Sequence, residues 1–238
     1  MVFTTLAVKL PKVFSEQKEV KDEFKGIVLD NLLSHGWYRQ GSTVFTTHFI
    51  SPFGDDKNYR VFWLRYRVNT LKLTNKSSAI ISSNKDFSVI CKPFAYSEEI
   101  DLLHARYARS LKFYVSESLA DKLQDVDNRI FDTHIIEVRD GDKLIGCGIF
   151  DLGINAIEGI VNFFDPEYKK FSPGKFLIIQ KYLYCLNNNI NLYYPGYYSV
   201  DHPVFDYKLF LDKNATEVYV PEVGLWINYP QFEKLLKS

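Results

Sequence analysis

The side chains best suited to chemistry fall in one stretch of this 238-residue chain, Phe163 to Phe210. Asp165 stands before Pro166, tyrosines crowd the run Tyr193-Tyr194-Pro195-Gly196-Tyr197-Tyr198, and Tyr207-Lys208 closes the stretch. A carboxylate accepts protons, a lysine ammonium meets a phosphate or an oxyanion, and tyrosine rings wall a pocket. Each type also has a plainer use: Asp before Pro forms turns, and Tyr197 and Tyr198 beside a glycine bend pack equally well into a core. Outside the stretch, Arg39 offers a planar fork that grips a carboxylate through two parallel hydrogen bonds. Its alternative is an exposed strand arginine paired with a local acid. His48 has the chemistry to polarise a substrate group, but a histidine beside threonines is more often structural.

These residues need elements to hold them. Pro166 has no N–H for a sheet ladder, so Asp165-Pro166 ends a strand. Ser172 and Pro173 suit a helix start, followed at helical spacing by Phe176, Ile179, Leu183 and Leu186 next to Tyr182. A strand near 190–194 and a Tyr-rich loop then lead to Lys208. Upstream, strands are expected over 133–139, 143–152 and 156–164, the first two joined by an Asp140-Gly141 hairpin. Ser97 caps a strong helix carrying Ile100, Leu103, Tyr107, Leu111 and Tyr114, running with a break to about 123. The polar run 124–129 reads as a junction. Earlier still, 19–33 reads as a helix ending near His35-Gly36, where glycine suits a left-handed cap. A hairpin turns at 40–42, and 60–73 reads as a strand with Arg65 and Arg67 on one face and Leu64, Tyr66 and Val68 on the other. A strand and a helix close the chain. The expected architecture is α+β: a β-rich half over 1–95 and a mixed sheet with flanking helices over 96–238.

Composition narrows the function. An apolar fraction of 46% with 24% charged residues describes an ordinary globular protein. Formal net charge is zero, which argues against coating nucleic acid everywhere. Locally the balance shifts: between Lys57 and Lys92 eight lysines and arginines face one acid, Asp86, an excess suited to a phosphate backbone or to a solvated strand surface. Cys91, Cys147 and Cys185 are scattered without metal-ligand or disulfide spacing, which points to a reducing cytoplasm and no metal. No run of 18 apolar residues and no leader-like amino terminus occurs, so neither membrane spanning nor secretion is expected.

The words along the chain resemble, in order, those of the arginyl-tRNA–protein transferases and their bacterial leucyl-transferring relatives. Gly36-Trp37-Tyr38-Arg39-Gln40-Gly41, continuing to Phe45 and His48, is similar to that family's GxRRxG…YxxH segment. Arg65-Tyr66-Arg67-Val68 resembles its basic strand, residues 77–87 its serine-and-basic segment, and 140–151 its DGKLxAVGVxD hairpin. Phe164-Asp165-Pro166, Ser172-Pro173-Gly174, Tyr193-Tyr194-Pro195-Gly196-Tyr197 and Tyr207-Lys208 resemble its catalytic words. Two departures stand out. Residues 49–59 lack the cysteine cluster of many relatives, leaving a zinc, iron–sulfur or haem site there without ligands. Pro195 replaces the usual Leu or Met.

The resemblance implies transfer of Arg or Leu from a charged tRNA, as co-substrate and without a cofactor, to the α-amine of a protein starting with Asp or Glu, marking it for degradation. It implies catalytic roles for Asp165, Tyr197, Tyr207 and Lys208 and acceptor binding by Arg39, His48 and Tyr198. Arg65, Arg67, Lys72 and Lys76 would contact tRNA. A monomer with two halves clasping a groove is expected. The order of strands and helices also resembles the GCN5-related acyltransferases. A coenzyme A-dependent acyltransferase is the first rival, disfavoured by Lys175 where a pyrophosphate loop needs a small residue. A non-catalytic tRNA- or peptide-binding module is the second, and aminoacyl transfer onto a cell-wall amine the third.

Overall fold

In the computed structural model, residues 15–18, 23–51, 57–112 and 115–237 are described. The amino-terminal part contains β1 (Ser15–Lys18), α1 (Ile27–Ser34), β2 (Tyr38–Gln40), β3 (Thr43–Thr47), β4 (Phe49–Ile50), β5 (Tyr59–Arg67), α2 (Asn75–Ser83) and β6 (Ser88–Pro93). Then follow α3 (Glu98–Arg109), α4 (Leu119–Leu123), β7 (Thr133–Asp140), β8 (Lys143–Leu152), β9 (Ala156–Phe164), α5 (Pro173–Asn187), β10 (Leu192–Ser199), β11 (Thr216–Val220), β12 (Leu225–Asn228) and α6 (Tyr229–Leu235).

Among the described residues, β1, β3 and β2 form a small sheet. A large sheet runs β12-β11-β5-β10-β9-β8-β7-β6, with β4 beside β5. Within that order β9 and β10 are parallel, over Ala156–Glu158 against Leu192–Tyr194, and every other neighbouring pair is antiparallel. The expected boundary at residues 95 and 96 falls between β6 and α3, and the sheet crosses it: β5 lies between β10 and β11.

The alternation of β7 and β8 explains the layers. Ile136, Val138 and Phe150 face α5, packing on Leu177, Ile179 and Tyr182 with Ile80 of α2. Their neighbours Ile135, Cys147 and Ile149 face the other way, against Ile100 and Leu103 of α3 and Leu119 and Leu123 of α4. Helices therefore cover both faces of a mixed sheet, each burying its apolar stripe. No described helix is long and apolar enough to cross a membrane.

Most expected elements appear, with instructive shifts. The first helix begins at Ile27, residues 19–22 lie outside the described residues, and Gly36 follows its end at φ +77°. Gly41 turns the β2–β3 hairpin at φ +64°, where a Cβ would also meet the Gln124 amide. Ser97 caps α3 by accepting from the Ile100 N–H, but α3 ends at Arg109, and Tyr114 lies outside the described residues. Ser172 precedes α5 as expected yet makes no side-chain cap. It takes a left-handed backbone at φ 55° because the chain arrives from a tight 3-10 turn over Pro166–Phe171. The Tyr-rich segment, expected as a loop, is the second half of β10. The sheet absorbs Pro195 by a register shift between Tyr193 and Gly196, with Gly196 at φ +97°.

Candidate active site

Where their pairing ends after Glu158 and Tyr194, β9 and β10 part. Beyond that point β9 stays with β8, and β10 stays with β5. The gap is a cavity of about 700 Å³. Gly159 to Asn162 and Phe164 line it from β9, and Pro195, Gly196 and Tyr197 from β10. Ser172, Pro173, Gly174 and Lys175 bring the start of α5 to its wall, with Lys169 close by. His104, Tyr107 and Lys122 close it on the side of α3 and α4, and Tyr38, Phe45 and Trp63 on the amino-terminal side.

Of the expected catalytic residues, Tyr197, Tyr207 and Lys208 meet here. Lys208 is 9% exposed, and its Nζ donates to the Tyr197 carbonyl at 2.6 Å. The rings of Tyr197, Phe205 and Tyr207 surround the amine at 4.8–5.3 Å. Burial pushes Lys208 down to about 7, so near neutrality the amine exists in both protonation states. Its backbone is pinned by the buried Tyr66 hydroxyl, which donates to the Lys208 carbonyl. Tyr197 stacks edge-on against Trp63 at 5.1 Å, and burial raises its hydroxyl pKa.

Asp165 sits one residue past the cavity-lining Phe164 and is fully enclosed. Its carboxylate accepts from Arg106 at 2.8 Å, from Lys143 at 2.9 Å and from the Glu167 N–H at 3.1 Å. Burial alone would raise its pKa, but these donors outweigh burial and hold it below the usual carboxylate range. Such a group is a poor proton acceptor near neutral pH. The same contacts suit a turn-forming anchor.

Arg39, expected to bind the acceptor, is held within the fold. Its side chain is 1% exposed and every guanidinium nitrogen is engaged: Nε with the Gly41 carbonyl, Nη1 with Asp151 at 2.9 Å and with Thr133, Nη2 with the Leu123 carbonyl. Phe131 lies beneath it at 4.3 Å. Four of its five N–H donors are taken, so the two-pronged grip on an incoming carboxylate is not open. Tyr198, one residue along β10 from Tyr197, points to the opposite face and packs on Phe62, Tyr229 and Phe232 away from the cavity. His48 lines a separate small hollow with Arg60 and Glu222.

The expected tRNA surface is divided. Arg65 lies under the Trp226 ring at 4.4 Å and donates to Glu217 at 2.6 Å, so its charge is spent within the sheet. Arg67 is mostly exposed but shares Glu217 at 3.6 Å. Lys72 and Lys76 are exposed. Among the described residues no group of three or more His, Cys, Asp or Glu is placed to hold a metal, and the three cysteines are free thiols.

Two cavity groups escaped the sequence reading. Lys181 of α5 is 1% exposed and donates to the carbonyls of Ile149 at 2.7 Å and Val161 at 3.5 Å, where a bulge frees the β8–β9 ladder. Burial lowers it to about 7. Glu158 of β9 is 3% exposed, and its pKa is driven well above the usual range, first by burial and then by nearby Asp151. Glu158 carried a readable signal, the one charge inside an otherwise apolar strand, whereas Lys181 shares its helix with Lys175 and Gln180.

A mixed sheet that opens between its parallel strands places the chain in a known structural class. Its fold is similar to that of FemX, with a TM-score of 0.50 over 87% of this chain and 70% of that one, at 9% identity. Residues 95–215 match the family described as arginine-tRNA-protein transferase, C terminus. The chain belongs to the arginine-tRNA–protein transferase family. Full-length relatives include an aspartate/glutamate leucyltransferase of Leptospira interrogans, 23% identical over 90% of this chain and 83% of its own. Another, of Campylobacter jejuni, is 24% identical over 98% of both chains. The arginyl-tRNA–protein transferase 1 of Saccharomyces cerevisiae is 33% identical over 33% of this chain and 16% of its own length.

Proposed function

We propose that this cavity transfers an aminoacyl group from the 3′ end of a charged tRNA to the α-amine of a protein whose first residue is acidic. The observation that carries this reading is the gap between β9 and β10, with the start of α5 in one wall and the Lys208 amine in another. Finer points of the fold follow the GCN5-related acyltransferases in this reading: antiparallel strands, a helix, then a parallel strand beside the reaction site.

The ester of a charged tRNA is already activated, so holding the amine at attack distance supplies much of the rate. The amine lone pair forms the new C–N bond, and the bond from the carbonyl carbon to the ribose 3′ oxygen breaks. Lys208, ionising near 7, takes the proton lost by the amine and returns one to the leaving ribose oxygen. The positive end of the α5 dipole, with the Gly174 backbone in the cavity wall, faces the developing oxyanion. Lys169 and Lys175 meet the terminal phosphates in place of Arg65. Lys122, carried into the wall by α4, replaces Arg39 as the cation offered to an acidic first residue. The protein acts as a cytoplasmic monomer, with charged tRNA as co-substrate and no cofactor. The acceptor's new first residue would mark it for degradation.

The test incubates the protein with tRNA charged with labelled Arg or Leu and peptides beginning with Asp, Glu or Ala. Label should enter the Asp and Glu peptides. Absence of transfer from either tRNA to any peptide overturns the reading.

A further inference from the structure

The cavity wall holds a carboxyl that no side chain pairs, that of Glu158. Asp151 and Glu158 sit opposite each other on β8 and β9, and both are buried. A single guanidinium, that of Arg39, lies beside them and is given to Asp151. Glu158 receives only the Arg39 backbone N–H, at 2.8 Å on Oε1. Its Oε2 has no hydrogen-bond partner among the described residues. The Tyr38 hydroxyl, 2% exposed, also has none. A dry, unmatched carboxyl is costly, and it is neutralised either by a proton or by an incoming cation.

The surroundings favour a cation. Tyr38 stacks flat on Trp63, with centroids 3.5 Å apart and planes 10° apart, and Phe45 meets Trp63 edge-on at 5.5 Å. Tyr38, Phe45, Trp63 and Glu158 all line the cavity. Aromatic rings beside a carboxylate attract positive nitrogen. A purely aliphatic group placed there would leave Glu158 Oε2 and the Tyr38 hydroxyl unpaired. From this wall the rings continue through Tyr197 to Lys208, so the subsite opens into the same space as the reacting amine.

We propose that Glu158 and Tyr38 form a subsite for a protonated nitrogen of a bound amino-acid residue, either its α-ammonium or a side-chain guanidinium. That such a residue enters the cavity rests on the aminoacyl-transfer reading, but binding can be measured without transfer. Calorimetry with argininamide, N-acetylargininamide and leucinamide separates the two sources of charge. The first probe carries both cations, the second only the guanidinium, and the third only the α-ammonium. Argininamide should bind the intact protein, and Glu158→Gln should weaken it at least about tenfold, the scale of one charge-assisted hydrogen bond. Binding of N-acetylargininamide but not leucinamide assigns the guanidinium, and the reverse assigns the α-ammonium. Should Glu158→Gln fail to fold, Tyr38→Phe, which keeps the ring stack, decides: weaker binding supports the subsite. Absence of binding by every probe, or unchanged affinity in the folded variant, overturns it. Probe binding without any transfer would sink the reaction and leave the subsite standing.

Discussion

Tyr66, next to last in β5, donates its hydroxyl hydrogen bond to the backbone carbonyl of Lys208, 142 residues later in the chain. The strand that borders the cavity thus holds the residue assigned to proton transfer. Tyr66→Phe keeps the ring contact with Tyr193 and leaves a buried carbonyl without its donor. The expected loss of stability is about 1–3 kcal/mol. The turnover rate should fall several-fold while the KM for acceptor peptide changes little, because Lys208 shifts and the peptide-binding walls stay. Urea unfolding and steady-state kinetics check both. A variant with unchanged turnover would show that Lys208 does not need this anchor.

Lys208 also sets a pH dependence. As a base it must be neutral, so transfer should rise with pH through about 7 and level off above. Lys208→Met should remove that limb along with most of the activity. The stability effect has the same direction. The unfolded lysine, ionising near 10.5, holds a proton that the folded one has released, so between about 7 and 10.5 this residue makes the fold more stable as pH rises. Lys181, also lowered to about 7 by burial, adds to that slope. Stability measured at pH 7 and pH 9 should differ less in Lys208→Met than in the parent. An equal difference would mean that Lys208 is not buried in the folded protein.

Arg39 provides the sharpest contrast between a binding and a structural role. Arg39→Ala strands Asp151 in a sealed site, and the expected cost is about 3–5 kcal/mol. Arg39→Lys should recover only part, since an ammonium cannot reach the Gly41 and Leu123 carbonyls and Asp151 together. Thermal unfolding measures it. Loss of acceptor affinity in a variant of unchanged stability would restore Arg39 as a ligand for the acidic residue.

Local signals accounted for much of this. β8 and β9 begin and end where the sequence places them, and β7 runs one residue past its expected end; Asp140-Gly141 has few conformations other than the hairpin it forms. Ser97 and Pro173 mark helix starts for the same local reason. What escaped depends on partners far along the chain. Arg39 looks like a surface ligand until Asp151 and Thr133 close around it. Arg65 reads as a phosphate contact until Glu217 pairs with it. The Tyr-rich run carries a Pro-Gly loop signal and β-forming tyrosines, and pairing with β5 decides for the strand. Glu158 stood in plain view, but only the parting of β9 from β10 turns a misplaced acid into a cavity wall.

The insertion of β5 between β10 and β11 has a consequence for how the molecule comes together. A fragment limited to residues 95–215 would carry the parting strands but leave the far margin of Tyr197 and Tyr198 raw, an unsatisfied ribbon of backbone prone to sticking to its own kind. The early third of the chain is thus the keystone that the late third must wait for, and neither matures into a working chamber without the other.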